Sequence, residues 1–198
     1  MKHHAVLQGS KDWFTARMGI PTASEFDKIL TPKTLTLSTQ HRDYLCRLLA
    51  EWALGTPFEV ETKVWAMDRG IELEAEAVQC YEFLTGVQTT DDGKVGASPD
   101  RFAGDEGLVE IKCPFPHTHI SYLLADAVPT DYLLQLQGQL YVTEKKWVDF
   151  FSYYPGLPPL RVRTEPEEKR QDAIKELVHT TFCDLLDSCK KILKTKME

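Results

Sequence analysis

Long hydrophobic runs are missing from this sequence. No apolar stretch among its 198 residues approaches the ~20 that a membrane-crossing helix needs. Met1-Lys2-His3-His4 opens the chain without the apolar core of a secretion signal. Cysteine is scarce and scattered, with five residues at Cys46, Cys80, Cys113, Cys183 and Cys189. None forms a Cys-x-x-Cys pair, so neither a zinc framework nor a disulfide scaffold is expected, and reduced thiols are the simplest reading. Internal repeats and low-complexity tracts are also lacking, which leaves a single domain, 1–198, long enough for a proper core. Positive charge is in short supply: 23 Lys and Arg stand against 30 Asp and Glu, a net charge of −7. Such a chain does not coat nucleic acid non-specifically, because phosphate affinity needs local positive charge. If it acts on DNA, its cations must be concentrated along one groove or channel.

What is present fits a globular protein, 42% apolar and 10% aromatic. The most informative stretch runs over residues 98–115. There Val109 and Ile111 alternate with Glu110 and Lys112, the period of a strand with one apolar face. Gly104 and Gly107 flank two acids and predict a hairpin tip. That tip would fold Asp100 back beside Glu110, so that two carboxylates and an amine meet. The set suits metal-assisted phosphodiester cleavage. Carboxylate oxygens are the hard ligands Mg²⁺ prefers, and a few suffice because the ion keeps waters and takes phosphate oxygens. A metal pair ~3.5–4 Å apart would stabilise both the attacking and the leaving oxygen. Lys112 would orient or deprotonate the attacking water, with adjacent cations favouring its neutral form. The plainer alternative is an edge hairpin bearing solvated charges.

Before the hairpin, a short helix is predicted to end at Gly19. Thr22 with Glu25 three residues on is a capping-box pattern, which predicts a second helix from Ala23 with Phe26, Ile29 and Leu30 buried. Free N–H groups at its start would attract an anion, and Arg17 could fork onto the same phosphate. On the residues alone, Arg17 as a surface charge and Ser24 as a first-turn filler is the simpler reading. Residues 31–40 predict a mobile loop. Helical spacing resumes over 44–52 and stops at Gly55 and Pro57. It returns over 63–84, ended by Gly86, with Leu73, Ala77, Val78, Tyr81 and Leu84 on the buried side. Residues 87–97 form a turn-rich strand region.

After the hairpin, Cys113-Pro114-Phe115-Pro116 stops the strand, and His117 and His119 read as loop surface. A helix over 132–141 puts Tyr132, Gln135 and Gln139 on one face and Leu133, Leu136 and Leu140 on the next. Amide and phenol groups can hold water or phosphate, although a solvated polar face is the default. Strands follow over 147–154 and 160–164. The tail repeats Ile174, Leu177, Val178, Phe182, Leu185, Leu186, Ile192 and Leu193 at helical spacing, and is expected to pack on the sheet or on a neighbouring subunit. Lys190, Lys191 and Lys194 suit the C-terminal end of its dipole.

The pattern Asp100…Glu110-Ile111-Lys112 is similar to the PD-(D/E)xK nuclease motif. The longer string Ser98-Pro99-Asp100…Glu110-Ile111-Lys112-Cys113-Pro114-Phe115 resembles the lambda exonuclease family of viral recombination exonucleases, and the likeness covers about residues 12–155. It implies an α/β fold with a restriction-endonuclease-like core, a central mixed sheet flanked by helices. It implies a Mg²⁺-dependent 5′→3′ exonuclease, with Mn²⁺ able to substitute and two ions present with substrate. The enzyme would digest one strand of linear double-stranded DNA from a 5′-phosphorylated end and leave a 3′ overhang for recombination by annealing. Asp100, Glu110 and the Ile111 carbonyl would hold the metal, and Lys112 and Gln135 would position water. Arg69-Gly70-Ile71-Glu72-Leu73-Glu74 matches an element whose glutamate, here Glu74, points into the metal site. Tyr132-Leu133-Leu134-Gln135-Leu136-Gln137 resembles the family's Tyr-x-x-Gln-x-Gln and carries over Gln135 and Tyr132. The stretch around Thr22-Ala23-Ser24-Glu25 transfers a terminal 5′-phosphate role to Arg17 and Ser24. The resemblance further implies a ring-shaped homotrimer, a single-strand annealing protein as partner, no membrane, and a phage or prophage protein acting in the host cytoplasm. Some nucleases of this fold carry a four-cysteine iron–sulfur cluster; only Cys183 and Cys189 have comparable spacing, and they read as helix-face core. Two rivals use the same residues: a structure-specific endonuclease or junction resolvase, and a catalytically dead DNA-end binder. The intact Asp, Glu and Lys set argues against the second.

Overall fold

The computed structural model describes residues 11–57, 65–87, 89–90 and 96–197. Its strands form one mixed sheet in sequence order: β1 (Thr89–Thr90), β2 (Arg101–Ala103), β3 (Gly107–Lys112), β4 (Trp147–Ser152) and β5 (Leu160–Thr164). Neighbours are antiparallel except β3 and β4, which run parallel. A parallel pair needs a long crossover, and α4 (Pro116–Ala125) and α5 (Thr130–Thr143) provide it. The hairpin between β2 and β3 turns at Gly104, whose φ of 61° is left-handed backbone. Gly107 lies under the Trp147 indole, where a Cβ would come within 2.1 Å of the ring.

Both faces of the sheet are covered. On one, Ala77 and Tyr81 of α3 (Trp65–Thr85) pack on Ala103, Val109, Ile111 and Phe151. On the other, Leu136 and Leu140 of α5 pack on Phe102, Leu108, Val148, Phe150 and Leu160. β3 is therefore a central strand, buried along its length until Lys112. The sequence pattern predicts one apolar face; the crossover covers the other as well, so Glu110 is a buried carboxylate rather than a solvated one.

Helix α5 has a second buried side. Leu134 joins a cluster with the 3₁₀ turn Ala23–Lys28, α2 (His41–Leu54) and the C-terminal helix. That helix comprises α6 (Glu168–Ala173), a π stretch (Ile174–Phe182) and α7 (Cys183–Met197). Its buried residues Ile174, Val178, Phe182 and Leu186 fall every fourth position. An α-helix drifts off that spacing, and the wider π turns bring it back. The helix packs on α2 and α5 instead of the sheet, and Leu185 and Ile192, expected inside, are exposed, as is Leu84 of α3.

Other expectations are adjusted locally. Residues 31–40 form a tied turn: Thr31, Thr34 and Thr36 share hydroxyl hydrogen bonds, and the Ser38 amide donates to the Ile29 carbonyl at 2.8 Å. His119 is buried on α4, linked to Ser152 Oγ at 2.7 Å and to the Pro158 carbonyl at 2.9 Å. The predicted helix start at Lys63 and the strand region over 91–95 lie outside the described residues, as do the side chains of Arg69, Ile71 and Glu72.

Candidate active site

The β2–β3 register sets Arg101 opposite Val109, which brings Asp100 level with Glu110. Asp100 Oδ2 accepts a hydrogen bond from the Ile111 amide at 2.7 Å. Glu110, 1% exposed, points toward α5. Its Oε1 accepts from Lys112 Nζ and, at 2.5 Å, from Gln135 Nε2. Its Oε2 accepts from Gln139 Nε2 at 2.6 Å. The Lys112 ammonium lies 5.2 Å from the centre of the Tyr132 ring, within cation–π range. Asp100, Glu110, Lys112, Gln135 and Tyr132 thus share one locality. Glu74 stands at its edge, paired with Arg101 at 3.0 Å.

Burial sets the electrostatics. It pushes the Asp100 carboxyl well above the usual range; Glu110 and Glu74 add to that, while Lys112 and the Ile111 amide oppose it. For Lys112, burial pulls the other way, but Glu110 and Asp100 overcome it and hold the proton more firmly than in water. The neutral lysine expected from neighbouring cations is not the form this arrangement favours. Its nearest charges are carboxylates.

Two buried carboxyl groups with a single close ammonium offer more hard oxygen donors than cations, and a hard divalent cation would take the place of the proton that burial favours on Asp100. Among the described residues no group of three or more His, Cys, Asp or Glu side chains is placed to hold a metal. Two carboxyl groups supply the oxygen donors of a hard divalent cation and lack the thiolate and imidazole ligands of a structural zinc.

A second cluster adjoins the first. Arg17, at the end of α1 (Lys11–Arg17), donates from Nη1 to Ser98 Oγ at 3.0 Å, and from Nη2 to Thr22 Oγ1 at 3.1 Å and Ser24 Oγ at 3.2 Å. Its guanidinium lies 4.1 Å from the centre of the Trp13 ring. Burial weakens its hold on the proton, with Tyr44, Glu25 and Glu51 opposing, yet an arginine stays charged. Among the described residues its hydrogen-bond acceptors are hydroxyls, and no carboxylate pairs with it. The capping box does not form. Thr22 turns its hydroxyl to Arg17, Glu25 pairs with Arg47 at 2.7 Å, and the helix is a six-residue 3₁₀ turn. Attraction for an anion here therefore comes from Arg17 and the hydroxyls, not from a helix dipole.

Sequence reasoning brought Arg17 to Ser24 but missed Ser98 and Thr22. The available signal for Ser98 was its place two residues before Asp100. It also put Gln139 on the correct face without assigning it a partner. The buried network of Asp149 with Tyr81 at 2.7 Å and Arg163 at 2.7 Å had no signal, because it joins three distant segments.

The family described as YqaJ-like viral recombinase domain matches residues 12–146. No curated protein sequence matches. An alkaline exonuclease from Laribacter hongkongensis superposes with a TM-score of 0.82 at 32% identity, over 95% of this chain and 98% of that one. The same exonuclease in complex with dAMP superposes equally well. A phage-related exonuclease from Haemophilus somnus superposes with a TM-score of 0.63 at 15% identity, over 90% of this chain and 96% of that one, a likeness of fold.

Proposed function

The chain belongs to the YqaJ-like viral recombinase family, and from that premise we propose that it degrades linear double-stranded DNA 5′→3′ from a phosphorylated end, using Mg²⁺. The α/β fold is that of the PD-(D/E)xK nucleases, and the protein is a deoxyribonuclease of exonuclease type. The whole chain would act as one nuclease domain, leaving a 3′ overhang for an annealing protein to use in recombination.

Asp100, Glu110 and the Ile111 carbonyl would hold the divalent ion. Bound there, it would act as a Lewis acid on the scissile phosphate and stabilise the departing oxygen. Lys112, kept as a cation by its carboxylate neighbours, would orient the attacking water and offset charge on the phosphoryl group rather than abstract a proton. Gln135 would share in placing the water, and the Tyr132 ring would steady the ammonium. Glu74, through Arg101, would hold the edge of the site.

The observation that carries the polarity is the hydrogen bond from Arg17 to Ser98, two residues from Asp100. A part-buried guanidinium with hydroxyl partners suits a terminal phosphate, which carries more charge than an internal diester. Removing Arg17 should cost on the order of 1.5–3 kcal/mol at a phosphorylated end, the range for a hydrogen bond to a charged group. Wild type and Arg17→Ala are compared on 5′-phosphate and 5′-hydroxyl duplexes, with initial rates at fixed salt. A phosphate preference that disappears in the variant supports the reading. Equal loss on both substrates would remove the 5′-phosphate pocket. Cleavage of closed circular DNA would replace the exonuclease with an endonuclease.

A further inference from the structure

Gln139 lies one helical turn beyond Gln135, and the two amides grip different oxygens of the same carboxylate. Gln135 shares Oε1 of Glu110 with Lys112, and both of these side chains are half-buried. Gln139 alone among the described side chains reaches Oε2, and it is 1% exposed. The direction of its amide is set by chemistry: reversed, a carbonyl would face a carboxylate. That choice leaves Gln139 Oε1 buried without a hydrogen-bond partner among the described residues. An unpaired buried acceptor is destabilising. An apolar side chain of the same length would remove that orphan acceptor but leave Glu110 Oε2 without its donor, so the amide is best explained by what it does to Glu110.

We propose that Gln139 is a positioning residue of the nuclease site: it holds Oε2 of Glu110 on the dry side, so that Oε1 is the oxygen turned toward the divalent ion and the substrate. This rests on the metal-dependent reading above. Lys112 and Gln135 occupy the outer oxygen, and they are the partners that can exchange for other company there. Gln139 has no such freedom, because Gly138 and Leu140 on either side are packed against Phe26 and the sheet.

The experiment is Mn²⁺ binding to DNA-free protein, read from the electron paramagnetic resonance signal of free Mn²⁺, for wild type, Gln139→Met, Gln139→Asn and Gln137→Met. Outer partners of metal ligands are typically worth roughly 10–100-fold in affinity, and that loss is expected in Gln139→Met. Gln139→Asn, which keeps the amide but shortens its reach, should fall between. Gln137 is equally buried on the same helix, but it bonds the Glu165 carbonyl, the Glu167 amide and Gln171. Gln137→Met should therefore lower the melting temperature and leave Mn²⁺ affinity unchanged. Wild-type affinity in Gln139→Met overturns the proposal while the metal-dependent reading stands. Should that variant not fold by circular dichroism, wild-type affinity in Gln139→Asn overturns it equally. Wild-type protein that neither binds Mn²⁺ nor cleaves DNA would overturn both.

Discussion

Replacing Lys112 by alanine removes the ammonium that faces both Glu110 Oε1 and the Tyr132 ring. Glu110 keeps Gln135 and Gln139 as donors, so the carboxylate remains bonded and available to a metal. Turnover should drop about 10²–10³-fold, the range for losing one preorganised donor at a reacting centre. Mn²⁺ and DNA-end binding should persist, measured by titration and by gel shift; near wild-type turnover would remove Lys112 from the mechanism. Asp100→Asn works in the opposite sense on stability. Burial and Glu110 oppose the charge on Asp100, so folding at neutral pH has to suppress an ionisation that the unfolded chain permits. An asparagine has no such charge to suppress, and its carbonyl can still accept from the Ile111 amide. The variant should melt higher than wild type while losing metal binding and cleavage. A lower melting temperature would mean that Lys112 stabilises the ionised pair more than burial and repulsion oppose it.

Helix α5 is the element on which the site depends, because it touches the sheet on one side and the N-terminal cluster on the other. Gly138 makes the second contact possible: a Cβ there would come 2.6 Å from the Phe26 ring and 3.0 Å from the Ala23 methyl. Gly138→Ala gains about 1 kcal/mol of helix propensity but forces about 1–3 kcal/mol of overpacking. A net fall of a few degrees in melting temperature is expected. Ser24 adjoins Ala23, and Gln139 adjoins Gly138, so the displacement should also slow cleavage at a phosphorylated end; an unchanged rate would show that the two clusters work independently. The dependence on α5 explains what could be read from sequence. The β2–β3 hairpin was legible because glycines punctuate it and charge alternates along it, both local signals. The burial of Glu110 was not, because it depends on which helix the crossover lays over β3. The partner of Gln139 was hidden for the same reason: a helix face is visible in sequence, but its register against a strand is not. The capping box failed because tertiary partners, Arg17 for Thr22 and Arg47 for Glu25, took the side chains that local geometry had allotted to the backbone.

Across the whole molecule, a net charge of −7 has to coexist with a polyanionic substrate. We propose a closed ring of three copies, whose heterologous interfaces could gather the cations of each chain around a central channel and leave acids outside. Sedimentation equilibrium at micromolar concentration should give three times the chain mass; a monomer would refute the ring. A separate consequence follows from the hydrogen bond between Arg17 and Ser98. Ser98 and Asp100 are two residues apart, a span of at most about 7 Å of extended chain, close to the length of one nucleotide of backbone. If the end of the strand is gripped at Ser98 and cut beside Asp100, the polypeptide is itself a ruler, and its stride is a single nucleotide. Mass spectrometry of the digest should then show mononucleotides bearing the 5′-phosphate from the first turnover onward. Dinucleotides as first products would mean that the strand is measured from some other mark.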